Sequence, residues 1–247
     1  MSHHFIRFSN VRYSYPNGQE ALKGVNFLVT HGEKVALLGR NGAGKSTIIL
    51  HTNGLLLPSE GEVNVGDVPV TRKTLPIVRQ SVGMVFQNPD DQLFMPTVRE
   101  DVAFGPLNMK LPPSEVERRV AAALAAVGAT ELRDRAPWQL SGGQKRSAAI
   151  ATVLSMEPSI LVLDEPSSNL DWDARRRLID ILNGFSHTIL LATHDLDLAR
   201  EVCPRSLVVD DGRIIADNAT DTILSDPYLL QRLGITAPPP ATDLPLQ

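Results

Sequence analysis

Only one cysteine, Cys203, stands among 247 residues. A lone thiol cannot close an internal disulfide, and it excludes a zinc site built from cysteines. A reducing compartment fits such a chain. Long apolar runs are missing as well. A membrane span needs ~20 mostly apolar residues, and the nearest approach, residues 120–126, is short and rich in alanine. The first residues hold no apolar stretch of the kind a secretory leader carries. Nor is there a basic excess: 24 Lys and Arg against 28 Asp and Glu leave a net charge of −4, so nucleic acid is not an expected partner. What remains is 43% hydrophobic and 21% charged, ordinary values for a globular protein. The length suits one large domain or two small ones. These traits predict a soluble, cytosolic chain and leave its chemistry open.

The residues change character along the chain. Residues 5–13 and 25–29 read as strands around the turn Pro16-Asn17-Gly18, the second loosely alternating and therefore antiparallel and partly solvated. Residues 33–38 lead through a Gly-rich turn into a helix over 45–53, and short β runs return at 62–65 and 82–86. Between 88 and 139 the β signal fades and three helical stretches are predicted. The clearest spans 113–127, with Ser114 as N-cap and Gly128 just past its end. Beyond Leu140 helices at 141–156, 172–185 and 196–202 alternate with strands at 160–163, 188–192, 207–209 and 213–215. Fully apolar strands such as Ile160-Leu161-Val162-Leu163 fit a parallel sheet covered on both faces. The expected fold is α/β with a helical insertion, and residues 236–247, with four prolines, read as a disordered tail.

Three constellations carry chemistry. Gly39-Arg40-Asn41-Gly42-Ala43-Gly44-Lys45-Ser46 follows an apolar strand and precedes a helix. Glycines let the backbone curl so that N–H groups converge on phosphates, and the helix N-terminus favours the same anion. Lys45 can reach the β- and γ-phosphates, and Ser46 can ligate Mg2+. Next, Asp164 and Glu165 end an apolar strand before Pro166. Two buried neighbouring acids repel and lose hydration unless they serve a metal and a water, so Asp164 would hold Mg2+ and Glu165 would polarise the nucleophile. Last, Ser141 and Gln144 form a capping box for the helix that follows. That leaves Gly142 and Gly143 unexplained, because each costs up to ~1 kcal/mol against Ala. A bare, capped helix start is a second anion site. Two such sites in one chain mean two nucleotides, or one nucleotide shared between two chains.

The order and spacing of residues 39–46, Leu140-Ser141-Gly142-Gly143-Gln144 and 163–165 resemble the ABC ATPase family over nearly the whole chain, about 5–233. The resemblance implies a P-loop NTPase core with an N-terminal antiparallel β subdomain and an inserted helical subdomain at about 88–139, all within one domain over 1–235. It implies ATP and Mg2+ as cofactors, with the nucleotide held by Gly39, Asn41, Gly42, Ala43, Gly44, Lys45, Ser46 and Thr47. Further roles follow by position: Gln87 as the glutamine at Mg2+ and the attacking water, His194 as the switch histidine, and Asp171 at the interface of two subunits. Tyr15 is the aromatic that stacks on adenine, with Tyr13 a weaker candidate. Ser141, Gly142, Gly143 and Gln144 would close over ATP bound to a second copy or a related chain. Taken singly, Gln87 could be a polar strand end, Asp171 a helix N-cap, His194 a structural hydrogen bonder and Tyr15 a packing residue beside a turn.

Residues 88–94 and 96–106 resemble the ATPases of energy-coupling factor importers, closest to the type dedicated to cobalt or nickel. That implies a transmembrane coupling subunit and a substrate-binding membrane subunit as partners, and a place on the cytoplasmic face of the cell membrane. Exposed Leu93, Phe94 and Met95 would favour a partner groove there. A chain without a long extension past Gly234 favours the metal type over vitamin importers. Trp172 replaces a common proline, and Ser147 stands where a basic residue is frequent. Arg175, Arg176 and Arg177 are expected to form a solvated helix face. A soluble ABC ATPase acting on DNA or the ribosome, or a regulatory nucleotide binder, are the alternatives. The first lacks its usual fused halves or basic tracts here, and the second sits poorly with an intact Glu165 and His194.

Overall fold

The computed structural model describes residues 5–168 and 170–234. Among the described residues ten strands form two sheets. Strands β1 (Ile6–Ser14), β2 (Glu20–Val29), β4 (Glu60–Val65) and β5 (Val68–Pro69) make an antiparallel sheet in the order β2-β1-β4-β5. The second sheet contains β3 (Lys34–Leu38), β6 (Val82–Val85), β7 (Ile160–Asp164), β8 (Thr188–Thr193), β9 (Arg205–Asp210) and β10 (Arg213–Ala219). Its order is β10-β9-β3-β8-β7-β6, with every neighbour parallel except β10. The expected α/β class with an N-terminal antiparallel sheet is what forms.

Period-2 geometry explains why the central strands are apolar throughout. Val35 and Leu37 on β3, with Ile160 and Val162 on β7, pack against the antiparallel sheet and α1 (Lys45–Thr52). Ala36, Leu38, Leu161 and Leu163 face the opposite core, shared with α3 (Val98–Asn108), α4 (Pro113–Ala126) and α5 (Gly142–Leu154). Each fully buried Leu, Ile or Val contributes about 1.5–3 kcal/mol, so a charge at Val162 or Leu163 would break the layer that carries the acidic strand end. The helices at 98–126 sit between β6 and α5 in the chain.

Caps set the helix starts. Thr97 and Glu100 close a capping box on α3, with Glu100 N–H donating to Thr97 Oγ1 at 3.3 Å and Thr97 N–H to Glu100 Oε2 at 3.1 Å. The expected box at Ser141 and Gln144 forms at 3.0 and 3.3 Å. Ser114 is not the cap of α4: Pro113 opens that helix after Pro112, because a proline at the first helical position costs no hydrogen bond. Gly128 does end it, at φ 64°.

Two helices follow β7 and β8, namely α6 (Trp172–Gly184) and α7 (Leu196–Val202). The arginine run on α6 is not uniformly solvated. Arg175 is half-buried and bridges Asp195 at 3.2 Å and Glu201 at 3.3 Å, tying α6 to α7, while Arg176 and Arg177 are exposed. Three short helices had no clear periodicity to reveal them: α2 (Leu75–Ser81), α8 (Thr220–Leu224) and α9 (Pro227–Arg232). The tail expected over 236–247 lies outside the described residues.

Candidate active site

The turn after β3 is forced to be glycine by its neighbours. A Cβ on Gly39 would lie 2.4 Å from the Val209 carbonyl oxygen, and Gly44 holds φ 112°, where an L side chain is strained. Gly44 caps α1 without a side-chain acceptor, so the first N–H groups of α1 stay available to an anion. The turn is braced from behind, since Gly212 N–H donates to the Ala43 carbonyl at 2.9 Å. A cleft of ≈ 370 Å³ opens beside it, lined among others by Tyr15, Asn41, Gly42, Lys45, Ser46, Thr47, Gln87 and Glu165. Gly39 and Ala43 are not part of this lining, and both are buried.

Lys45 is almost fully buried, and its ammonium donates to the Gly39 carbonyl at 2.7 Å. It also lies 3.5 Å from Glu165 Oε1. Glu165 takes φ 47°, unusual for a residue with a Cβ, and its N–H continues the strand pairing to the Ala192 carbonyl at 2.8 Å. Its Oε2 is held by His194 Nδ1 at 2.7 Å, His194 N–H at 3.2 Å and Thr193 Oγ1 at 3.4 Å. Its Oε1 is buried with no hydrogen bond. One oxygen is therefore anchored by hydrogen bonds, while the other faces the Lys45 ammonium and makes no hydrogen bond.

Asp164 is buried, and its Oδ1 also lacks a partner. Burial pushes its carboxyl above the usual carboxylate range; the Ser46 hydrogen bond opposes this and neighbouring Glu165 adds to it. These residues fit Mg2+. An unpartnered buried carboxylate oxygen beside a serine hydroxyl is a hard-oxygen pair, and Mg2+ is commonly held by one or two carboxylates together with substrate phosphates. Among the described residues no group of three or more His, Cys, Asp or Glu could hold a metal ion.

The remaining candidates do not meet in this cleft. Ser141, Gly142, Gly143 and Gln144 start α5 outside its lining. A Cβ on Gly142 would find nothing within 4 Å, so the chain's own packing does not require glycine there. Asp171 serves as the N-cap of α6, accepting from Ala174 N–H at 2.8 Å. Trp172 beside it is 74% exposed. Near residues 88–106, Leu93 is buried and does not belong to a surface patch, whereas Phe94 is exposed and packs edge-on to Phe104 at 5.0 Å beside exposed Leu107.

Two connections escaped the sequence reading. Arg146, buried on α5, donates to the Phe86 carbonyl at 2.7 Å and the Gln87 carbonyl at 2.6 Å. It thereby fixes the backbone of Gln87 from the helix that begins at Ser141. Burial lowers its pKa, against the attraction of Asp164. Gln92 fastens the same loop to α5, donating to the Ala149 carbonyl at 2.8 Å. A buried arginine one turn inside a helix was the only available signal, and spacing alone does not say what it faces.

Comparison with known proteins agrees with this geometry. The family profile described as ABC transporter matches residues 22–168. The chain belongs to the ABC transporter ATPase family. An ABC transporter ATP-binding protein of Geobacter sulfurreducens is 55% identical over 96% of both chains. The energy-coupling factor transporter ATP-binding protein EcfA of Methanothermobacter thermautotrophicus is 46% identical, over 94% of this chain and 76% of its own length. Among solved structures, CbiO1 of Clostridium perfringens, part of the ABC transporter complex CbiONQ, superposes with a TM-score of 0.81 at 38% identity over 95% of each chain. As an ABC ATPase, the protein binds ATP.

Proposed function

We propose that this ABC ATPase energises an importer of the energy-coupling factor type, that the imported cargo is cobalt or nickel ion, and that the chain works as a head-to-tail pair with itself or a related ATPase. One observation carries the paired arrangement. The phosphate-binding groups are split between a cleft that contains Lys45 and Glu165 and a bare helix start at Ser141 that stands apart, with open space over Gly142. A glycine that nothing in its own chain requires is explained if a second chain's ATP approaches its backbone.

Within the cleft, the first N–H groups of α1 and the ammonium of Lys45 take the phosphates. Ser46, Asp164 and Gln87 would hold Mg2+, which when bound supplies positive charge at the phosphoryl oxygens. Glu165 Oε1 is free to accept a hydrogen bond from the attacking water and orient it, while His194 and Thr193 keep Oε2 from turning. Tyr15 lines the same cleft and offers a face to adenine. Asp171 would meet the second chain.

The membrane partners are a coupling subunit and a substrate-binding subunit, with this chain on the cytoplasmic face. Among the described residues no helix is long and apolar enough to cross a membrane, so the partners would supply the spans. Phe94, Phe104 and Leu107 give an apolar contact for a coupling element. The similarity to EcfA supports the importer type, and the resemblance of residues 88–94 and 96–106 to cobalt or nickel importer ATPases supports the metal cargo.

The test of the paired site is Glu165→Gln with Mg-ATP on a sizing column. The variant should bind ATP and accumulate as a closed dimer, and a monomer at saturating ATP would overturn the shared site. For the cargo, cells lacking the chain should lose cobalt or nickel accumulation. Normal accumulation would refute the metal and leave a vitamin or other micronutrient.

A further inference from the structure

We propose that His51 and Tyr13 are positioning residues for the nucleotide base, closing with Thr47 a ring of contacts that holds Tyr15 against the cleft. The inference rests on Tyr15 being the surface on which the base stacks.

Tyr13 lies near the end of β1 and Tyr15 just past it, where the chain leaves the strand. Only Tyr15 reaches the cleft lining. Tyr13 stands edge-on behind it, with ring centroids 5.1 Å apart and planes at 85°. His51 in turn stands edge-on to Tyr13, at 4.9 Å and 79°. From the last turn of α1, His51 Nδ1 lies 2.7 Å from the Thr47 carbonyl. Thr47 Oγ1 meets the Tyr15 hydroxyl at 3.0 Å. The circuit Tyr15–Tyr13–His51–Thr47–Tyr15 is thus complete, and each member touches the next through a directional contact.

The chemistry of His51 gives the ring its sense. A carbonyl can only accept, so Nδ1 carries the proton and Nε2 keeps its lone pair. Nε2 is buried and makes no hydrogen bond, although His51 is fully enclosed. A leucine would fill such a place without that cost. Burial also lowers the pKa of the ring, opposed by the backbone groups of Thr47 and Leu57. Thr47 meanwhile belongs to the first turn of α1, whose N–H groups face the phosphates. A single residue therefore joins the base platform to the phosphate-binding turn. Without Tyr13 the Tyr15 ring keeps its hydroxyl tether to Thr47 but loses its edge contact, and without His51 the Tyr13 ring loses its own support; either way Tyr15 regains rotamer freedom, so the base loses a preformed surface while the phosphates do not.

The full chain is titrated calorimetrically with Mg-ATP and, separately, with Mg-tripolyphosphate, which has the phosphates and no base. His51→Ala and Tyr13→Leu should each raise the ATP dissociation constant about two- to tenfold, the range of an aromatic pair, with tripolyphosphate unchanged. His51→Phe keeps the ring edge against Tyr13 and should recover most of the loss. Equal shifts for both ligands would show a general structural role and overturn the proposal, as would no shift for ATP in the Tyr13 variant. Tyr15→Ala separates the two layers. If it leaves the ratio of the two constants unaltered, the base platform itself falls and the inference with it. If it raises the ratio of the ATP constant to the tripolyphosphate constant while the His51 and Tyr13 variants do not, the platform stands and only the ring is refuted.

Discussion

Asp164→Asn should stabilise the nucleotide-free protein while destroying its use of Mg-ATP. The carboxylate is buried, one oxygen has no partner, and Glu165 adjoins it. An unsatisfied buried acceptor costs about 1–3 kcal/mol, and more when charged. The Ser46 hydrogen bond and the attraction of Lys45 and Arg146 give part of that back. The amide keeps the shape, removes the charge and adds two donors of its own, so a net gain of about 1–2 kcal/mol is expected. For a chain of this size that is a rise in Tm of roughly 2–8 °C. The effect carries a pH signature. Burial raises the folded-state pKa above the unfolded value, so below the unfolded value near 3.9 both states are protonated and the two proteins should differ little. As pH rises through the window between the two pKa values, folding has to retain a proton that the unfolded chain has released, and wild-type stability falls relative to the variant. Above the folded pKa the gap is complete. Urea unfolding in EDTA across pH 3.5–8 measures it. A variant less stable than wild type at pH 7, or a gap that does not shrink in acid, would refute the assignment of Asp164 as a strained group awaiting a cation.

Three further outcomes are expected. Lys45→Ala should abolish ATP binding at low micromolar concentrations in equilibrium dialysis, because the buried ammonium has no substitute in the turn. Gly142→Ala should leave thermal stability unchanged or raise it by up to about 1 kcal/mol, since a Cβ meets nothing within 4 Å, yet it should block ATP-driven pairing on a sizing column. Cys203, fully buried with its thiol pushed up to about 12, should resist Ellman's reagent at pH 8 until the protein is unfolded in guanidinium.

Residues 39–46 and 160–165 were legible because their geometry is local: an apolar strand, a forced turn and a helix start lie within a few residues of one another. The same holds for the capping box at Ser141 and Gln144, and for Gly128 at the end of α4. Periodicity did not reveal α2, where only Val78 is buried. It also placed the cap of α4 at Ser114, where a proline pair sets the start instead. Arg175 read as one of three solvated arginines, because its partners lie 20 and 26 residues away on α7.

The sequence by itself thus determined the local frame of this ABC ATPase: the Gly-rich turn before α1, the acids that end β7, and the capped start of α5. Only the tertiary structure decided how those groups are supported. Glu165 Oε2 is held by His194 across two neighbouring strands, and Arg146 grips the consecutive carbonyls of Phe86 and Gln87. His51 stands behind Tyr13 beneath the cleft. These contacts join residues 29, 60 and 38 positions apart. Long separations leave no periodic trace, because the sheet order and helix packing that close them come from burial summed over the whole chain.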